Sequence, residues 1–209
     1  KFRDIDAIAV SKGPGSYTGL RIGVSTAKGL CYALDKPLIG IETLRAMAYG
    51  LVASPPNPLS TGEGELSSPI YHKKALDEKN IFSTEGYSLP LWGRVGDGAL
   101  LCPMLDARRM EVYCAIYDSS LNEIKKTAAE IMDENSFSEL LKKNVIYFFG
   151  EGAEKSKTVL SKNPNAKFID NIFPSAKNMT PFSEEAFVEK KFEDIAYFEP
   201  FYLKDFVGK

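Results

Sequence analysis

The 209-residue chain is 44% hydrophobic and 26% charged with a net charge of −2, a composition that supports an apolar core without disulfide or metal staples and excludes the basic footprint of a protein that grips nucleic acid by itself. Cys31, Cys102 and Cys114 stand far apart with no CxxC pair, which argues against a zinc ribbon or a secreted disulfide scaffold and for a reducing compartment, the cytoplasm by default. No apolar run reaches membrane-spanning length, and Lys1-Phe2-Arg3-Asp4 has neither a signal-peptide core nor a starting Met, so the expectation is a non-membrane protein that has lost an upstream segment.

In chain order, Ile5 to Val10 is an apolar run of strand length that meets the turn-prone Ser11-Lys12-Gly13-Pro14-Gly15. From Ser16 or Thr18, either a good N-cap, the spacing of Leu20, Val24, Ala27, Cys31 and Leu34 predicts a helix to Leu34, stopped by Asp35-Lys36-Pro37. Pro37 to Ile41 reads as a second buried strand, and Glu42-Thr43 opens a helix through Leu44, Met47, Ala48 and Leu51. Strand, helix, strand, helix implies a parallel pair joined by a crossover. Between Ser54 and Pro69 ten of sixteen residues are Pro, Ser or Gly, and the stretch to Gly98 lacks periodicity, so residues 54–98 read as an insertion or disordered loop. Leu100 to Leu105 and Val112 to Tyr117 then form an expected antiparallel pair. A short helix near Phe137 to Lys142, a strand from Val145 to Phe149 ending at Gly150-Glu151-Gly152, and an amphipathic helix from Ser183 to Phe198 complete the pattern.

Several motifs invite chemistry. Gly13, Pro14, Gly15, Ser16 and Gly19 lie after a strand and before a helix, where glycine allows close backbone approach and free N–H groups attract anions. The spacing fits neither a Walker loop, which needs a Lys after its second Gly, nor GxGxxG. A tight turn into a helix and an anion cradle both fit it. Gly19, Gly23 and Ala27 form a flat stripe that suits packing on a sheet or on a partner helix. His72 is the single histidine, which rules out a two-histidine metal site and leaves a solvated loop residue as the simpler reading. Asp106, Arg108, Arg109 and Glu111 alternate in charge between two strands, the pattern of a solvated, self-paired turn more than of an acid–base pair. No catalytic or metal-ligating set can be assembled, and the cysteines sit in apolar runs where a thiol is inert filling.

Taken together, IDAIAVSKGPGSYTGLRIGVSTAKGL, PLIGIETLRAMA, PMLDARRMEVYCAIYD and the closing FEPFYLKDFV resemble the TsaB (YeaZ-like) family of tRNA threonylcarbamoyladenosine biosynthesis proteins, over residues 1–53 and more loosely 100–207. The resemblance implies an α/β, actin-like (ASKHA, ribonuclease H-like) two-lobe fold. Residues 1–53 would be the remainder of an incomplete N-terminal lobe, 54–98 an insertion and 99–209 a second lobe with a C-terminal helix. It further implies a non-catalytic cytoplasmic scaffold that supports a TsaD-like catalytic subunit together with a TsaE-like ATPase, touches tRNA only indirectly and dimerises when alone. TsaD binds its metal through an HxxxH motif that this chain lacks, so the chain alone needs no cofactor, while a nucleotide at the interface with TsaD stays open. An intersubunit helical bundle in this family points to Tyr17, Arg21, Ile22, Ser25 and Tyr32 as the partner interface. The rival readings are a glycoprotease-like hydrolase and a small-molecule kinase of the same superfamily, the first lacking a nucleophile pair and the second lacking acidic metal-binding residues near its first strands.

Overall fold

A computed structural model describes residues 4–53 and 98–204; all of the expected insertion but Gly98 lies outside the described residues. The first strand, β1, runs Ile8–Gly13 and lies parallel to β2, Leu38–Glu42, pairing Ile8 with Leu38 and Val10 with Gly40. Ser11 to Gly13, expected to turn, instead continue the strand, because Ser11 and Gly13 pair with Ile41 and Glu42. The ladder ends where Pro14 has no N–H to contribute. Between the strands, α1 (Tyr17–Leu34) is capped at its start by Ser16 and ends on Asp35, which is left-handed with φ 51° and donates its N–H to the Cys31 carbonyl. The next helix, α2 (Thr43–Ala53), follows β2 directly.

The second sheet contains β3 (Leu100–Asp106), β4 (Glu111–Tyr117), β5 (Glu123–Ile131), β6 (Ile146–Phe149) and β7 (Ala166–Ile169) in the order β5-β4-β3-β6-β7. The pairs β3·β4 and β4·β5 are antiparallel, while β3·β6 and β6·β7 are parallel. Two-residue alternation splits its side chains between two cores. Cys102, Met104, Val112, Cys114, Ile116 and Phe148 face the short helix α3 (Ser138–Leu141) and α4 (Glu151–Leu160), through Leu141, Ala153 and Leu160. Leu101, Leu105, Ala115, Tyr117 and Phe149 face α2 through Leu44, Met47 and Leu51. Gly150 joins β6 to α4 at φ 96° and ψ 174°, and a Cβ there would lie 2.3 Å from the Met104 carbonyl oxygen. Only glycine adopts that conformation readily, so α4 begins tight against the end of β3.

The helix expected from Ser183 to Phe198 is corrected: α5 runs Thr180–Val188, with Pro181 in its first turn, and the chain leaves it at Glu189 and Lys190, the latter at φ 55°. The apolar residues of 192–198 have helical spacing but a different use, since Glu193 forms an antiparallel bridge with Leu38, and Ile195 and Phe198 pack with Ala27, Cys31 and Leu38. Phe182 of α5 joins Ile39, Ile41 and Ala46 in a further cluster, so the C-terminal stretch packs on the β1–β2 unit. Among the described residues no helix is long and apolar enough to cross a membrane.

Candidate functional site

At the end of β1, Gly13 has φ 116°, and a Cβ there would sit 2.7 Å from the Phe201 carbonyl oxygen. The Phe201 N–H donates to the Lys12 carbonyl at 2.6 Å, which brings the C-terminal segment onto the Gly13 turn. Gly13–Pro14 is a cis peptide, Pro14 is buried, and Ser16 Oγ accepts the Gly19 N–H at 3.4 Å. The motif thus forms a tight turn feeding a capped helix. A cleft of about 330 Å³ opens beside it, lined among others by Ser11, Gly15, Ser16, Thr43, Leu105 and Glu151. The Ser11 and Thr43 hydroxyls are bonded to each other. No cation is among the described lining residues, and Glu151 contributes a carboxylate, so phosphates placed there would meet no counter-charge.

Helix α1 divides by face. Leu20, Val24, Ala27 and Cys31 are buried, as their spacing predicts, and Gly23 approaches Val10 of β1. On the other side Arg21 and Ser25 are exposed, Ile22 is 63% exposed and Tyr32 is 86% exposed. Tyr17 is half-buried, its ring centroid 4.9 Å from that of Tyr202 and 5.6 Å from the Arg21 guanidinium carbon. Tyrosine, isoleucine and arginine on one exposed face match the composition of interface cores.

In the turn between β3 and β4, Asp106 Oδ1 accepts from the Arg108 N–H and from Lys155 Nζ, both at 2.7 Å. Lys155 also donates to the Glu111 carbonyl at 2.6 Å, and the Glu111 carboxylate pairs with Lys204. Lys155, first and foremost, holds the Asp106 carboxyl below its ordinary range against some desolvation. Arg108 and Arg109 are exposed, at φ 69° and 46°. The acids are therefore engaged by lysines from α4 and the C-terminal segment, which the sequence reading did not connect to this turn. Cys31, Cys102 and Cys114 are free thiols in the interior, and burial pushes Cys102 well up. His72 lies outside the described residues. Among the described residues no three His, Cys, Asp or Glu side chains come together to hold a metal.

A sequence profile of the TsaD family, described as tRNA N6-adenosine threonylcarbamoyltransferase, matches residues 1–61. Over 98% of the chain and 73% of the relative, the chain is 26% identical to the tRNA threonylcarbamoyladenosine biosynthesis protein TsaB of Escherichia coli (strain K12). These matches support membership of the TsaB (YeaZ-like) family. The fold agrees with the TsaB/YeaZ assignment. A crystal structure from Pseudomonas aeruginosa, titled an uncharacterized protein with similarity to peptidase YEAZ, superposes with a TM-score of 0.64 at 17% identity, covering 98% of this chain and 76% of that one, so the fold is the actin-like α/β fold of the YeaZ structures. The kinship with TsaD is closer than the motifs imply. The chain is 62% identical over 41 residues, 20% of its length and 12% of the relative, to the tRNA N6-adenosine threonylcarbamoyltransferase of Clostridium perfringens (strain SM101 / Type A). A short stretch of the chain therefore resembles a TsaD enzyme more strongly than the whole resembles the TsaB relative, and it is similarity across nearly the full length that speaks for TsaB.

Proposed function

We propose that the chain is a non-catalytic partner subunit in tRNA threonylcarbamoyladenosine biosynthesis, holding a TsaD-like catalytic subunit in its working state together with a TsaE-like ATPase. The observation that carries this reading is the match to TsaB across 98% of the chain. The exposed α1 face adds physical support, because Ile22 and Tyr32 leave apolar surface in water that association would remove. In this reading Tyr17, Arg21, Ile22, Ser25 and Tyr32 contact either TsaD or a second copy of the chain, so the two pairings exclude each other and TsaD competes with the homodimer by mass action. In this reading residues 1–53 belong to the first lobe, residues 54–98 are an insertion and the second lobe starts at residue 99, with α5 and the stretch after it returning to pack on the β1–β2 unit. The subunit works in the cytoplasm and reaches tRNA only through its partners, consistent with its net charge of −2. A nucleotide held jointly with TsaD fits the reading; hydrolysis by this chain alone does not, since the acids of the β3–β4 turn are tied to lysines.

Reconstitution tests the proposal. The threonylcarbamoyl-adenylate-forming enzyme, the TsaD-like and TsaE-like proteins and tRNA from the same organism are combined with and without this chain, and modified adenosine is measured by mass spectrometry. Modification should require the chain, while the chain alone should neither hydrolyse ATP nor bind tRNA below micromolar concentration at physiological salt. Full modification in its absence, or turnover by the chain alone that is lost in an Asp106, Glu111 or Ser16 variant, would overturn the scaffold reading.

A further inference from the structure

From Glu189 to Lys204 the chain forms no helix or regular strand, yet it is fastened at successive points. The Glu193 N–H donates to the Leu38 carbonyl at 2.8 Å. Lys28 of α1 reaches the carbonyls of Ala196 and Phe198, each at 3.1 Å. The Phe198 ring covers Gly40, where an added Cβ would come within 3.0 Å of it. Phe201 bonds the end of β1 through the Lys12 carbonyl, Tyr202 packs on Tyr17, and Lys204 pairs with Glu111 of the β3–β4 turn. One strap thus touches β2, the middle of α1, the end of β1, the first turn of α1 and the second sheet.

The amino-terminal half of α1 packs on β1 along one side. Thr18, Gly19, Arg21 and Ile22 are exposed, Gly19 and Gly23 bring no side chain to anchor it, and the capping bond from Ser16 is long at 3.4 Å. Leu20 and Val24 fix one side of this half, and Tyr17 is clamped from the other by Tyr202. We propose that the strap, through Phe201 and Tyr202, is a positioning element. It sets the first two turns of α1 relative to the β3–β4 turn, so that the face carrying Arg21 and Ile22 is presented in one fixed orientation. Its consequence for partner binding rests on the proposed function; the positioning itself does not.

Hydrogen–deuterium exchange of the full chain, read by mass spectrometry, tests it with three variants. Tyr202→Ala removes an aromatic contact whose loss accelerates local opening about two- to tenfold, and peptides spanning residues 12–24 should speed up by that factor while those of β3, β4 and β6 do not change. Tyr202→Phe keeps the ring and should keep wild-type rates. Gly13→Ala, strained by its φ of 116° and by a methyl carbon 2.7 Å from the Phe201 oxygen, serves as the positive control for opening of residues 12–24. Unchanged exchange at residues 12–24 in Tyr202→Ala, with only residues 196–204 loosened, would overturn the proposal, as would equal damage from Tyr202→Phe and Tyr202→Ala. Titration against the TsaD-like subunit separates the two readings. Loss of binding in Ile22→Glu and partial loss in Tyr202→Ala support both, whereas intact binding in Ile22→Glu removes the α1 interface and leaves the exchange result to judge the strap.

Discussion

Ile22 and Val24 are two residues apart on α1 and have opposite surroundings, at 63% and 3% exposure. Replacing Ile22 with glutamate in the free chain changes an exposed helix position between residues of similar helix propensity, so stability should move by no more than about 0.5 kcal/mol. In an assembly that buries this face, the variant forfeits most of the transfer energy of an isoleucine side chain, about 1–2 kcal/mol for the exposed part. It also leaves a carboxylate without a partner, at about 1–3 kcal/mol. Together these give about 2–5 kcal/mol, a loss of affinity of about 30-fold at the least for a TsaD-like partner. A homodimer pairs the same patch with itself and suffers the change twice, so its dissociation constant should rise by about the square of that factor, roughly 1000-fold. Val24→Ala should do the reverse, costing about 1–3 kcal/mol of stability with little direct effect on association. Light scattering gives the homodimer mass, calorimetric titration gives partner affinity, and circular dichroism melts give stability. If Ile22→Glu leaves both associations within threefold of wild type, the interface lies elsewhere; if it melts the free chain, the exposure of this face is wrong.

Gly150→Ala forces a side chain into a conformation that glycine alone adopts readily, against the Met104 carbonyl, and should destabilise the chain by about 2 kcal/mol or more in urea unfolding; a neutral result would refute the close approach of α4 to β3. Asp106 is held below its ordinary range chiefly by Lys155, so its contribution is full above that range and is lost as pH falls through the lowered value. Because the side chain is half exposed the contribution is under about 1 kcal/mol, and the stability gap between wild type and Asp106→Asn should be present at pH 7 and shrink as acid protonates the carboxylate; a gap that does not change with pH would mean that the charge is irrelevant. With Cys31, Cys102 and Cys114 all buried, a thiol reagent should label none of them in the native chain and all three in denaturant. Stoichiometric labelling under native conditions would contradict the packing of both sheets.

The parts of this fold that were legible in the sequence are those in which local pattern and burial agree. Leu20, Val24, Ala27 and Cys31 recur at helical spacing and all face the sheet, and the apolar runs around Leu38, Leu101, Val112 and Ile146 became strands. The parts that were not legible draw their structure from distant contacts. Helix α4 buries only Gly152, Ala153, Ser156 and Leu160, three of them small, so that no apolar stripe is left; its signal was the Glu154–Lys157 pairing beyond a glycine of special conformation. The segment EIKKTAAEI has the composition of a helix, yet it forms β5 because pairing along β4 outweighs weak local preference. In the strap, Phe192, Ile195 and Phe198 mimic helical spacing, yet Ile195 and Phe198 pack on residues more than 150 positions away and Phe192 lies against Phe187. The site divides in the same way. The alternating charges of the β3–β4 turn suggest a turn paired within itself, but its acids are held by Lys155 and Lys204 from elsewhere in the chain, and no local rule identifies those partners.

The resemblance of residues 1–61 to the TsaD profile has a physical reading in the positions the structure finds constrained. Gly13 requires a left-handed backbone under the Phe201 carbonyl, Ser16 caps, Leu20, Val24, Ala27 and Cys31 fill one side of α1, and Leu38, Ile39 and Ile41 fill β2. These demands are those of a strand–turn–helix–strand unit, and any protein built on that unit must meet them whatever its chemistry. Similarity at such positions carries fold rather than activity. Function has to be argued from residues that the unit does not dictate, namely the exposed face of α1, the β3–β4 turn and the strap that joins them, where a partner has something to recognise that the fold itself did not require.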